Sequence, residues 1–558
     1  MSPPTIDQFL GEIWQIIQEQ NGTKLQEYLV IEPPLSPIYQ KIVNELKQAY
    51  PNHHSHTALE NKCKSFIPEY KDGEDGGSRS SFISFLVRYF AFLRDVNVDD
   101  LLETHDMLKA LLNQCVLALS SFMGLTILPT VISLSRTLAK LAIGLDKRPD
   151  LIASLTQRRE STGGDEAEER VTLVESSANV IREAFKKCLS ERSASASGID
   201  ASGRPEGRRV GIYLTANLCL KLFFHCKKLR SAEQIFGNIY QQSPPLSLFP
   251  ASQRVTFLYY LGRYHFANGH YFRAQLALQS AYNQCHKQCL SQRKLILIYL
   301  ITANIILGRF PTNYLWQRPE AAGLQQRFAP ICDAIAKGDL CSFRQYLDIQ
   351  NESAEWFLQK RVLLQLYDNC EVLVWRSLAR KTFMLSGSVG DAASKKAPTV
   401  ALEHMLTLAS YLETEALLPS KNNVMSNGNP TVVVNGRDPE LPNGYTDPDL
   451  KGVVDPEPPV LPSMDIIESI VASLIEQDLL HGFITHANPR FAITGARNAQ
   501  PLQVGFPKVW DVIKAQSDDE VPGWVVEKKT PAAGVGGRFG PGMVVNLSGA
   551  RPAGAGPG

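Results

Sequence analysis

The sequence predicts an all-α helical repeat, a tetratricopeptide-like superhelix, followed by a C-terminal winged helix with a small β-hairpin. Three observations carry that expectation. Apolar residues recur at three-to-four spacing through most of the chain before Pro419; units of helix, short polar turn and Ala-containing helix repeat between Val210 and Leu347; and two short β runs follow a clean helical stripe after Ser463.

The 558 residues, 44% of them hydrophobic, exceed one compact domain and suit two or three folded units. Residues 1–189 read as an N-terminal helical region with a flexible loop near 157–169. Within it, Phe82 to Phe92 and Leu108 to Leu119 are amphipathic. Residues 190–209, rich in Ser, Ala, Gly and charge, read as a disordered linker, because such a composition buries too little surface to offset its ordering entropy.

Residues 210–350 carry the repeats. Leu229 to Ala232 (Leu-Arg-Ser-Ala) opens one amphipathic helix and Tyr271 to Ala274 (Tyr-Phe-Arg-Ala) opens another, with small residues at the positions where paired helices approach closely. Phe257, Tyr260, Leu261 and Tyr264 share a face. A third pair begins with the apolar run Leu295 to Leu307 and turns at Gly308 to Pro311. That run falls short of the roughly 20 residues that cross a bilayer and reads as a buried helix.

Residues 351–500 read as the winged helix. Glu355 to Leu385 is one long helical region or two abutting helices, and Val400 to Leu412 is a further helix. Residues 419–462, rich in Pro, Asn, Gly and Asp, form an expected disordered insertion. Ser463 and Asp465 signal a helix start, and Ile467, Ile470, Val471, Leu474 and Ile475 make its stripe. Two β runs, Phe483 to His486 and Phe491 to Thr494, flank Ala487 to Arg490. Residues 501–558, Gly- and Pro-rich from about Gln516, are expected to be mostly disordered.

A net charge of +1 gives no global pull toward nucleic acid or membrane, so any nucleic-acid surface is local. The N-terminus lacks a secretion-signal pattern, which points to an intracellular protein, and the ten cysteines, without a C-x-x-C pair, then read as reduced core residues.

Chemistry was sought in four places. His54-Ser-His56 has alternate histidines but lacks the downstream Ser and Asp of an isopeptidase metal site, and reads as an exposed polar loop. Cys285-His286-Lys-Gln-Cys289 offers three zinc ligands without a complementary pair, and reads as core and surface positions of one helix. The glycine-rich run from Gly534 neither follows a strand nor opens a helix, so it lacks the phosphate-binding context. Tyr259, Tyr260, Tyr264, Phe266, Tyr271 and Phe272 could stack on bases, but at repeat spacing they read first as core. No enzyme, metal site or cofactor follows from these residues. Arg376, Arg380 and Lys381 lie about one turn apart beside Trp375, and Arg490 projects from the wing; they are either a nucleic-acid-binding set facing phosphates or an ordinary solvated face.

Phe249 to Arg263 (FPASQRVTFLYYLGR), Tyr282 to His286, Lys294 to Leu300, Leu307 to Thr312, and Ile466 to Gly482 with His481 to His486 (HGFITH) together resemble the PCI-domain family. The blocks are most similar to its branch containing the nuclear messenger-RNA export subunit and the signalosome-associated twelfth subunit. The resemblance spans about Val210 to Pro507 and implies a non-enzymatic scaffold subunit located in the nucleus, or in nucleus and cytoplasm both. Its implied partners are a larger export scaffold protein, a small acidic subunit shared with the proteasome lid, and RNA or double-stranded DNA met by a basic winged helix. The same resemblance allows a second role, a protein-interaction subunit of a signalosome-like complex without nucleic acid; neither role involves a membrane. The insertion at 419–462 departs from compact members and puts the binding residues in doubt.

Overall fold

The computed structural model describes residues 4–51, 56–67, 76–97, 100–121, 123–148, 172–191, 198–390, 396–417, 463–496, 500–518 and 520–525. His54, the loop near 157–169, the insertion at 419–462 and the glycine-rich run from Gly534 lie outside the described residues.

Among the described residues eight helices precede the repeats: α1 (Pro4–Gln18), α2 (Gly22–Tyr28), α3 (Pro37–Ala49), α4 (His56–Phe66), α5 (Gly76–Asp95), α6 (Leu101–Ala118), α7 (Gly124–Asp146) and α8 (Leu173–Leu189). Aromatic rings fill their centre. Phe9 stacks 4.7 Å from Tyr28 and meets Phe90 at 5.7 Å, while the buried Tyr89 hydroxyl donates to the Val30 carbonyl at 2.8 Å. Asp100 and Thr172 cap α6 and α8 by accepting from backbone N–H groups of the first turn. Helix α7 is long and apolar enough to cross a membrane, yet thirteen of its residues are buried in this bundle, as a core helix requires.

The 190–209 stretch departs from expectation over its described part. Residues 198–209 fold into a turn in which Ile199 bridges Pro205 and the Asp200 carboxylate accepts from the Ser202 and Arg204 N–H groups. Arg208 pairs with Glu191 at 3.0 Å and donates to the Leu119 carbonyl. Charged side chains that read as linker composition therefore tie the N-terminal helices to the repeats.

Helix pairs joined by short turns follow: α9 (Ile212–His225) with α10 (Leu229–Gln242), α11 (Ala251–Ala267) with α12 (Tyr271–Gln284), and α13 (Leu290–Ile306), then α14 (Asn313–Trp316), α15 (Gln325–Lys337), α16 (Leu340–Leu347) and α17 (Glu352–Gln359). Small residues set the spacing inside the second pair. A Cβ added to Gly262 of α11 would come within 2.5 Å of Leu278 Cγ, and Ala274, Ala277 and Ala281 of α12 are fully buried. Cys285 and Cys289 do not share a helix: they flank the turn between α12 and α13. That turn is held from within by Arg293, which pairs with Glu320 at 3.0 Å and donates to the Tyr282 and Cys285 carbonyls.

The expected long helical region is two helices, because Arg361 breaks it with φ of 58° before α18 (Leu363–Ser386). What read as a helix from Val400 begins as strand β1 (Thr399–Ala401) and becomes α19 only at Leu402 (Leu402–Leu417). After α20 (Met464–Glu476), β2 (Gly482–Thr485) and β3 (Arg490–Ile493) form the hairpin. Strand β3 is central in an antiparallel sheet of order β1-β3-β2, with Val400 opposite Phe491 and Ile484 opposite the same Phe491. The short helices α21 (Pro501–Gly505) and α22 (Val509–Gln516) then return to the repeats. Gly308 makes room for α22: its φ is 74°, and a Cβ there would lie 2.5 Å from Val509 Cβ. Trp510 slots between Phe272 (5.6 Å) and the Arg309 guanidinium (4.4 Å).

The chain past Gln516 was expected to be disordered, but residues 520–525 cross the first two pairs. Val521 is fully buried, the His265 Nε2–H donates to the Pro522 carbonyl at 3.1 Å, and the Tyr240 hydroxyl donates to Glu520 at 2.8 Å. Burial, helped by the nearby positive charges of His270 and Arg273, pushes the His265 imidazole down to about 4 despite the opposing Pro522 bond.

Two expected outcomes follow from this packing. Gly262→Ala should lower stability by about 1–3 kcal/mol, because an overpacked helix crossing forces a backbone shift; an unchanged denaturation midpoint would contradict the close approach. For His265 the folded value lies below the unfolded one of about 6.5, so the released chain takes up the proton first. Stability is complete above pH 6.5 and is lost as pH falls toward 4, by up to about 3 kcal/mol. Melting curves across that window should show the loss, and His265→Asn should flatten it.

Candidate partner and nucleic-acid interface

Helix α18 is the axis of the C-terminal unit. Its buried side, from Leu363 through Leu366, Cys370, Val374 and Leu378 to Phe383, packs on α15, α16 and α20, while its far end leads into β1. Backbone bonds then knit the unit together: Leu402 N–H donates to the Pro489 carbonyl, Ile493 N–H to Pro398, and His481 N–H to Gly505. Phe506 closes it between Phe383 and Phe491.

Arg376 is half-buried. Its Nε donates to the Leu479 carbonyl at 3.3 Å and its Nη2 to the Pro507 carbonyl, so it staples α18 to the chain after α20 and to the approach of α22. Burial, with Arg380 adding repulsion, pushes the guanidinium down to about 10, still protonated at neutral pH. The sequence set this residue beside Arg380 and Lys381 as a phosphate ligand; the fold commits its donors to carbonyls instead.

The other three are differently placed. Arg380 is exposed and Lys381 half-buried on the C-terminal half of α18, and neither makes an ion pair among the described residues. Arg490 is exposed where β3 begins, opposite Thr485 and Ala401. The turn before it is fixed from both sides: the Thr485 hydroxyl donates to the Asn488 carbonyl at 2.6 Å, and His486 meets Glu468 of α20 at 2.9 Å. The fold thus places three cations on the C-terminal unit, Arg380 and Lys381 on α18 and Arg490 at the start of β3.

The same unit also exposes apolar side chains. Leu364, Met384, Leu385, Val389, Ile466 and Phe483 each expose two fifths or more of their surface. Strand β2 is an edge of the sheet and carries Phe483 outward. Between α16, α18 and α20 lies a groove of about 700 Å³ rimmed by Ile466 and Ile470, with Glu371 holding Arg344 at 2.6 Å and Trp375 at 3.3 Å on its wall. These features suit docking of other chains. Among the described residues no three His, Cys, Asp or Glu side chains converge as metal ligands.

No family model matches the chain. It is similar to a PCI domain-containing protein of Schizosaccharomyces pombe, 26% identical over 484 residues that make up 87% of this chain and 91% of that protein. It is also similar to proteins named CSN12 homolog from Neurospora crassa, 30% identical over 40% of this chain and 47% of that one, and from Gibberella zeae, 32% identical over 37% and 44%. The match thus spans less than half the length of these CSN12 homologues. The relatives thus carry two names, PCI domain-containing protein and CSN12 homolog.

The staple is open to test. Arg376→Met keeps the aliphatic stem but leaves the Leu479 and Pro507 carbonyls unpaired, and should cost about 1–3 kcal/mol in denaturant unfolding. A loss within experimental scatter of zero would remove Arg376 from the structural role.

Proposed function

We propose that this chain is a non-enzymatic scaffold subunit of a multiprotein complex. In the fuller form of that reading it couples transcription to nuclear messenger-RNA export, binding a larger scaffold protein, a small acidic subunit and nucleic acid. The observation that carries it is the C-terminal unit: an open sheet edge and an apolar rim beside cations that have no carboxylate partner among the described residues.

The element order supports a winged helix. Helix α20 feeds the hairpin β2–β3, β1 completes a small sheet, and the turn before Arg490 stands where a wing would. The pairs α9 to α13 support a tetratricopeptide-like stack. A unit of this kind brings Arg380, Lys381 and Arg490 against phosphates while β2 and the 700 Å³ groove take protein partners.

The similarity to CSN12 homologues favours a second reading, a subunit of a signalosome-type complex with no nucleic acid. Charge separates the two. In fluorescence anisotropy with labelled single-stranded RNA and duplex DNA, the triple charge reversal Arg380→Glu, Lys381→Glu, Arg490→Glu should weaken binding at least tenfold and flatten its salt dependence. Equal affinity of variant and parent would discard the nucleic-acid role and leave the second reading.

A further inference from the structure

A cationic groove lies away from the C-terminal sheet, where α7, α9, α11 and α13 meet the α17–α18 turn. It has a volume of about 510 Å³ and is lined by Lys221, Arg263, Lys360 and Arg361, with Asp146 and His225 at one side. Among the described residues Asp146 is the one carboxylate in the lining, and it accepts a hydrogen bond from His225 at 2.8 Å. None of the four cations has a carboxylate within ion-pair distance among the described residues.

Two of the four are held in ways that solvation alone does not require. The Arg263 guanidinium stands over three rings, 4.9 Å from Phe224, 5.5 Å from Tyr259 and 4.9 Å from Tyr299, which fixes its plane while leaving its charge unneutralised. Arg361 occupies a left-handed backbone position, φ 58°, at the tight connection where its N–H bonds the Leu358 carbonyl. Glycine would meet that turn without strain, so the arginine there points to use of its side chain. Its neighbour Lys360 is anchored too: the Lys360 carbonyl accepts from the Tyr299 hydroxyl at 3.0 Å.

We propose that this groove binds a compact, multiply phosphorylated small molecule. Four uncompensated cations call for an anion of several charges, and arginine forks match phosphate oxygens. The volume falls in the range of small-molecule sites. Arg263 stands over Phe224 and Tyr299, so two of the three Phe and Tyr rings in the lining, Tyr260 being the third, already face a cation. Because the lining comes from α7, α9, α11, α13 and the α17–α18 turn, such a ligand also fastens the N-terminal helices to the repeats.

Isothermal titration of the full chain with sodium tripolyphosphate tests this, with inositol hexakisphosphate and a 5′-hydroxyl single-stranded RNA as further probes. Saturable binding is expected, weakened at least tenfold in Arg361→Gly, whose backbone suits glycine, and in Lys221→Gln/Lys360→Gln, and unchanged in Arg490→Glu, which separates this site from the nucleic-acid reading above. Inositol hexakisphosphate should compete with tripolyphosphate. Absence of saturable binding, or full binding by both folded groove variants, would overturn the proposal. So would displacement of tripolyphosphate by the RNA with the same sensitivity to the groove variants, which would make the groove a nucleic-acid contact.

Discussion

An amphipathic helix pair has more apolar surface than it can cover by itself, and that constraint orders the whole molecule. Each pair is closed by rings from the next. Tyr213 of α9 meets Phe257 of α11 edge-on at 4.9 Å, Phe236 of α10 packs on the same ring at 5.6 Å, and Phe266 of α11 meets Tyr299 of α13 at 5.7 Å. An array built this way has two ends that need covers. At one end α8 packs along α9; at the other α16 to α18 pass the core on to the sheet. The strap at 520–525 and the wedge at Trp510 cover the flank. The surface left over, the β2 edge and the apolar rim near Ile466 and Phe483, is what the described residues do not close.

The polar groups inside this frame act as connectors. Arg293 with Glu320 fixes the turn between α12 and α13, His105 reaches Ser177 to join α6 to α8 at 2.9 Å, and Arg376 ties α18 to two later segments. Arg293 and His105 are buried and Arg376 half-buried; each meets its partner in a distant stretch of chain, and removing one partner would strand the other. The exposed cations are the complement of this set. Arg380 and Lys381 on α18, Arg490 on β3, and Lys221 and Arg361 at the inner groove make no ion pair among the described residues.

Much of this was legible in the sequence where the signal is local. The starts at Leu229 and Tyr271, the stripe from Ile467 to Leu474 and the hairpin near 482–493 follow from periodicity and cap residues. What escaped is long-range. Three residues at 399–401 become a strand because 490–492 lie alongside them, and nothing in Thr-Val-Ala separates that from a helix start. Glu520 to Val525 has the Pro and Gly of a loose tail, yet Val521 finds a buried site between pairs far earlier in the chain. Helical spacing put Arg376, Arg380 and Lys381 together but could not say that Leu479 and Pro507 claim the first. The inner groove draws on residues 146 to 361, beyond the reach of any spacing rule.

The central claim is that the surface left open at the C-terminal unit is completed by other chains and nucleic acid. Affinity purification of the tagged full-length protein from nuclear extract, with and without nuclease and followed by mass spectrometry, tests it most directly. The account predicts recovery of a larger scaffold protein with a small acidic subunit and RNA. Recovery of signalosome subunits alone, with nothing sensitive to nuclease, would contradict it.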